Sequence, residues 1–298
     1  MINILTFDVE DWHVLACRRV TGELGESNGA LQRQLDAVLL LLAEHNVRAT
    51  FFVLGMAAEA DPGLVRQIAA AGHEIASHGY SHVPVYRLSR AEFGEDAGRS
   101  KRLLEDLLGH EVTGYRAAEF SIRSDSLWAL DVLARLGFAY DSSIFPVRHR
   151  RYGIHGFDSG VARYTLDSGA SIVEIPLSAV HWAGWDFPAA GGGYFRWLPQ
   201  SAIHSLIRKL NQGGRAAVTY FHPYEFDRLP LQVFGDAAPG ESATYWRGRW
   251  FQFHQNLNRP SMAQKLRSLL ERFRFVPCRD FLQGESLGEC RELLSVAG

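Results

Sequence analysis

Cysteine is scarce: Cys17, Cys278 and Cys290 are the only three in 298 residues. That excludes a disulfide framework or a cysteine-based zinc site, and reduced thiols are expected. No run of about 18 apolar residues occurs, so a membrane-spanning helix is not expected. The start, Met1 followed by Ile2-Asn3-Ile4-Leu5-Thr6-Phe7, lacks the basic and apolar regions of a signal peptide, which points to a cytoplasmic setting. Net charge is only −2, giving nucleic acid or an anionic membrane nothing to attract. Repeats and low-complexity tracts are also lacking. What remains is 47% hydrophobic and 21% charged, the balance of an enzyme-sized globular protein. The length suits an α/β barrel with insertions as well as it suits two domains.

Strand and helix patterns alternate along the chain. Ile2 to Phe7 reads as a buried parallel strand and ends in Asp8-Val9-Glu10-Asp11-Trp12, three carboxylates between aromatic residues. Leu31 to His45 carries a helical apolar stripe, Ala49 to Gly55 a second strand, and Pro62 to Ala71 a helix stopped by Gly72. His73 to Ser77 is a third strand, followed by His78 and His82. A helix over Arg90 to Leu108 leads to Val112–Tyr115 and Arg116, and a helix over Asp125 to Leu136 leads to Ala139-Tyr140 and Asp141. From Val147 to Pro188 the rhythm is lost. A hairpin is expected there, Arg163–Leu166 turning into Ser171–Ile175. Trp182, Trp185, Phe187, Tyr194, Phe195 and Trp197 surround Gly191-Gly192-Gly193, a composition that suits a sugar-stacking wall and ordinary core equally. Pro199 to Leu210 is helical, and Ala216 to Phe221 is a strand ending in His222. Residues 228–248 read as loop, Met262 to Phe273 as an amphipathic helix, and the tail after Gly284 as partly helical.

In parallel β/α folds the carboxyl ends of the strands carry the site. Asp8 to Asp11, His78, His82, Arg116, Asp141 and His222 all fall at such ends. A pair of histidines four residues apart is weak alone, since roughly 0.4 such pairs arise by chance among 12 histidines. With one carboxylate, however, the pair makes a ligand set that leaves a divalent ion open to water and substrate. A second carboxylate can take a proton and a separate histidine can give one, while an arginine keeps the base ionised. Those are the parts of an amide hydrolase.

Five segments in this order resemble the polysaccharide deacetylases of the NodB-homology group, carbohydrate esterase family 4, and especially an exosortase-locus subfamily. They are Thr6–Trp12, His78–His82, Gly114-Tyr115-Arg116 with Phe120-Ser121, Tyr140–Pro146, and Tyr220–Pro223. Further similarity lies in Glu174–Ser178, Gly191–Arg196 and Lys265–Phe275, so the likeness spans nearly the whole chain. The resemblance implies a distorted (β/α)7 barrel forming one catalytic domain over 1–298, with an insertion at about 147–198 and a C-terminal extension at about 228–298. It implies removal of N-acetyl groups from amino sugars of an oligo- or polysaccharide, such as an exopolysaccharide precursor. The cofactor is a divalent ion, Zn²⁺ foremost and Co²⁺ or Ni²⁺ as alternatives.

Carried onto this chain, Asp8 is the general base, His222 the general acid, Arg116 the tether of the base, and His78 and His82 metal ligands. Val9 follows Asp8 where the family has a second aspartate, so the metal carboxylate is Glu10 or Asp11, with related acid-any-acid patterns favouring Glu10. Ala117-Ala118-Glu119 stands where a proline usually follows the arginine. Trp12, Glu119, Phe120, Asp141 and Tyr194 are the substrate-binding candidates. Two other readings stay open: hydrolysis of another C–N amide, ureide-like, on the same frame, and a barrel that binds carbohydrate without turnover.

Overall fold

The computed structural model describes residues 1–149, 151–182, 185–189, 191–234, 242–284 and 290–293. Its strands are β1 Ile2–Val9, β2 Thr50–Val53, β3 Glu74–Ser77, β4 Gly114–Tyr115, β5 Tyr140–Asp141, β6 Ala162–Thr165, β7 Ser171–Glu174, β8 Ala179–Trp182, β9 Trp185–Pro188, β10 Val218–Phe221, β11 Arg274–Val276 and β12 Arg291–Glu292. The helices are α1 Trp12–Thr21, α2 Ala30–Glu44, α3 Gly55–Ala60, α4 Pro62–Ala70, α5 Arg90–Leu108, α6 Trp128–Arg135, α7 Gly192–Trp197, α8 Gln200–Gln212, α9 Ala243–Asn256, α10 Met262–Arg272 and α11 Cys278–Gly284.

Seven strands pair in parallel in the order β10-β1-β2-β3-β4-β5-β7, the frame of a distorted (β/α)7 barrel. Among the described residues, the seam between β7 and β10 has no regular ladder. It is spanned by Ser178, whose backbone N–H donates to Val218 O at 3.4 Å and whose hydroxyl accepts from Val218 N–H at 2.7 Å. Gly191 bridges to Tyr220 in the same seam. A Cβ there would stand 2.4 Å from the Tyr220 carbonyl oxygen at a φ of +118°, so the close approach needs glycine. The expected hairpin forms as β6 and β7, antiparallel, and its second arm joins the frame beside β5.

Side chains alternate along each strand, which divides the core in two. Ile4, Phe52, Ala76, Tyr140, Val173, Val218 and Tyr220 meet inside the sheet's curve. Leu5, Phe7, Val9, Phe51, Val53, Ile75 and Phe221 point outward and pack with helix residues such as Leu35, Leu42, Val65 and Phe93. The inner layer also buries Glu74, which accepts hydrogen bonds from Thr50 at 2.6 Å and Tyr140 at 2.8 Å.

Several elements were not expected from the sequence, among them α3, α7, α11 and the β8–β9 pair, and two more lie beside the cleft. Helix α1 was not anticipated; Asp11 caps it, accepting from the N–H groups of His13 and Val14. The stretch read as loop through Gly248 contains helix α9, capped by Ser242, which packs on α1 through Phe251 stacked on Trp12 at 5.9 Å. Of the tail, expected to be partly helical, Arg291–Glu292 is instead a strand paired with β6, and 285–289 and 294–298 lie outside the described residues.

Candidate active site

A cleft of about 950 Å³ opens at the carboxyl ends of the strands. Strand parity decides what faces it. On β1, Ile4, Thr6, Asp8 and then Glu10 fall on the inner side; on β3, Ala76 is followed by His78; on β10, Val218 and Tyr220 are followed by His222. Asp8, Glu10, His78, His82 and His222 all line the cleft.

Glu10, His78 and His82 each offer a ligand atom within 4.8 Å of the others. Glu10 Oε2 lies 2.8 Å from His82 Nε2 and 3.9 Å from His78 Nε2. The Nδ1 of His78 is 2.9 Å from the Arg116 carbonyl oxygen, to which it can donate, leaving Nε2 free to ligate. Burial lowers His78 to a pKa of about 4, so its ring is neutral and ready to coordinate. Burial works against the Glu10 charge, but His82, His222 and His78 outweigh it and hold the carboxyl at about 2. Two imidazole nitrogens and an ionised carboxylate on a half-open cleft fit a divalent ion.

The turn that delivers both histidines is held from outside. Gly79 takes a φ of +72° and His82 a φ of +54°. Asp96 of α5 accepts from the N–H groups of Tyr80 at 2.7 Å and Ser81 at 3.0 Å, and from the Ser81 hydroxyl at 2.5 Å. Arg18 of α1 donates to the carbonyl oxygens of Ser81 at 2.8 Å and His82 at 2.6 Å. Neither residue was singled out in the sequence, because nothing local distinguishes them from ordinary helix charges.

Arg116, fully buried, donates to Asp8 at 2.8 Å, to the Thr6 hydroxyl at 2.7 Å, and to the carbonyl and hydroxyl oxygens of Ser142. Phe52 lies beneath its guanidinium at 4.0 Å. Across the cleft, His222 Nε2 is 3.8 Å from Glu10 Oε1, and its Nδ1 faces Glu225 at 3.6 Å. Burial disfavours charge on His222, yet Glu225, Glu10 and Asp8 raise its pKa to about 9.

The remaining candidates divide. Trp12, Glu119, Phe120 and Tyr194 line the cleft. Tyr194 shares a 2.5 Å hydrogen bond with Tyr152, and Glu119 and Phe120 both adopt positive φ near +54°. Asp11 does not join the ligand cluster: its carboxylate is spent on the α1 cap and on the Ser27 hydroxyl at 2.6 Å. Asp141 does not reach the cleft, a correction to its expected contact with substrate. Tyr140 points inward on β5, so its neighbour points away, and Asp141 is enclosed with Ser143 at 2.6 Å. Burial and Asp141 together push Glu174 well above the usual carboxyl range, so the pair holds a proton. Of the aromatic stretch, Tyr194 and Trp197 line the cleft, Phe195 is core against Phe221, and the side chains of Trp182 and Trp185 lie outside those described.

Residues 5–140 match the polysaccharide deacetylase family, and 142–283 match a domain of unknown function. A peptidoglycan-N-acetylglucosamine deacetylase of Bacillus cereus is 35% identical over 95 residues, 32% of this chain and 34% of that protein. Chitooligosaccharide deacetylases of Bradyrhizobium sp. and Sinorhizobium fredii are 33% and 32% identical, over 33% and 39% of this chain and 42% and 54% of theirs. The chain thus spans about a third to a half of the length of these curated relatives. A polysaccharide deacetylase structure from Mycobacterium smegmatis superposes with a TM-score of 0.60 at 20% identity, covering 97% of this chain and 92% of its own, and so shares the fold. With that fold and a strand-end site in view, residues 5–140 of this chain are similar to the polysaccharide deacetylases, and the chain shares the fold of a structure of that type.

Proposed function

We propose that the protein removes N-acetyl groups from amino sugars of an oligo- or polysaccharide, releasing acetate and a free amine. The observation that carries this reading is the Glu10–His78–His82 cluster set beside the Asp8–Arg116 pair, with His222 on the far side of the same cleft. Glu10, His78 and His82 would hold a divalent ion, Zn²⁺ foremost, which when bound supplies Lewis-acid activation. Asp8 takes the proton of the attacking water, and Arg116 keeps that carboxylate ionised and aimed. His222 gives a proton to the departing amine nitrogen. Tyr194, Trp12 and Phe120 offer apolar faces against which pyranose C–H groups pack. The resemblance to deacetylases of exopolysaccharide loci makes an exopolysaccharide precursor the glycan of first choice.

The test is acetate release from N-acetylated chitooligosaccharides by the protein treated with chelator and then supplied with Zn²⁺, beside Asp8→Asn. Acetate from the metal-supplied protein and none from Asp8→Asn is the expected result. Equal release by both proteins would remove Asp8 as the base, and binding of the oligosaccharide with no acetate under any metal would replace hydrolysis with carbohydrate binding.

A further inference from the structure

Five arginines and three carboxylates line the cleft, although the chain as a whole carries a net charge of −2. The two carboxylates nearest the chemistry are already matched: Asp8 by Arg116, and Glu10 by the imidazoles around it. Arg196 is buried and donates to the backbone of Gln255. Among the described residues, what lines the open space is therefore Arg18, Arg19, Arg87 and Arg151, with Glu119 the carboxylate not already matched and Glu10 also acting on Arg18.

These groups form one patch rather than a scatter. Glu119 and Arg151 approach to 3.7 Å, an ion-pair distance too long for a hydrogen bond, and Arg18 lies in the field of both Glu119 and Arg87. Arg18 also holds the backbone of His82, so the patch adjoins the ligand cluster itself. Arg87 is exposed, and among the described residues no hydrogen bond or ion pair engages its guanidinium. Beside Arg151, the ring of His149 also lines the cleft. A neutral glycan would leave this surplus unanswered. In a recess walled by Trp12, Tyr152, Tyr194 and Trp197, like charges attract an anion more strongly than they would on a flat surface.

We infer that the cleft takes a glycan bearing an anionic group, a carboxylate or a phosphate, close to the sugar that loses its acetyl group. Arg87 and Arg151 receive that group, and Glu119 limits how much negative charge the patch accepts. This rests on the deacetylase reading and narrows it to acidic glycans.

Acetate release is compared for three probes: neutral N-acetylglucosamine oligomers, oligomers alternating N-acetylglucosamine with glucuronic acid, and N-acetylglucosamine oligomers carrying a phosphate. At least one acidic probe is expected to exceed the neutral one about tenfold in kcat/KM, with the advantage shrinking as salt is raised. Which acidic probe it is separates carboxylate from phosphate. Arg87→Gln and Arg151→Gln should each lower the acidic-to-neutral ratio severalfold, while Glu119→Gln should raise it. A neutral probe turned over as well as both acidic ones would overturn the inference and leave the deacetylase reading standing. An acidic advantage untouched by all three substitutions would overturn it as well. Acetate from none of the probes would remove both.

Discussion

Arg116 Nη1 sits 2.8 Å from Asp8 Oδ1, with the arginine fully buried between Thr6, Ser142 and Phe52 and the carboxylate at the floor of the cleft. The guanidinium turns Nη1 to Thr6 and Asp8 of β1 and both Nε and Nη2 to Ser142, so from the end of β4 it fixes the carboxylate and ties β1 to the segment after β5 at once. A lysine could keep the charge but could not reproduce the fork.

Arg116→Lys is therefore expected to fold with a lower melting temperature and to lose at least tenfold in kcat. Arg116→Ala should cost about 3–5 kcal/mol, because it strands a buried carboxylate. Thermal melts and acetate release measure both. Wild-type kcat in the lysine variant would show that Asp8 needs no fork to be aimed.

Glu10 and Asp11 are neighbours with opposite duties. Glu10→Gln should lose most of its affinity for Zn²⁺, since it removes the charged oxygen donor from the cluster. Asp11→Ala should keep metal stoichiometry and lose about 1 kcal/mol of stability, the worth of a helix cap. Metal titration with melting curves separates them, and a large affinity loss in Asp11→Ala would reverse the assignment.

Asp96 touches no ligand atom, yet three hydrogen bonds from the Tyr80–Ser81 turn end on it. Asp96→Ala should weaken metal binding roughly 10- to 100-fold, as expected when the groups that orient ligands are lost. Unchanged affinity would mean that Arg18 and Gly79 suffice to set the turn.

His222→Ala should lower turnover by roughly 10² to 10⁴ while leaving metal stoichiometry intact, because its proposed role is to give a proton and it stands outside the Glu10–His78–His82 cluster. Single-turnover rates and metal content read the two effects separately.

Much of this site was legible in the chain because a parallel strand does two things at once: it alternates its side chains and ends where the cleft begins. Asp8, His78, Arg116 and His222 could be placed at one mouth on that ground. The same alternation favours Glu10 in the choice the sequence left open. Strand β1 runs on through Val9, so Glu10 repeats the direction of Asp8, while Asp11 turns into a helix cap. Asp141 misled because β5 is only two residues long, too short for a period to show. Helix α9 escaped detection since Gly248 is its only fully buried residue, and Trp246, Trp250 and Phe253 face outward, which erases an amphipathic pattern. Asp96 and Arg18 act across tertiary contacts that no local spacing records.

Acid should weaken the fold through His73, away from the cleft. Its ring packs on Phe51 at 4.9 Å, and its Nδ1 accepts the Ala49 N–H at 3.3 Å, which a protonated nitrogen cannot do. Burial, with help from the Arg48 charge, lowers its pKa from 6.5 to about 4. Between those values the unfolded chain binds the proton and the folded chain does not, so stability must rise with pH across that window. The contribution is complete above about pH 6.5 and disappears as pH falls through 4. Melting temperature should therefore drop from pH 7 to 4.5 in the native protein, and by less in His73→Asn, which keeps an acceptor but does not titrate. A parallel decline in both proteins would assign the acid sensitivity to other groups.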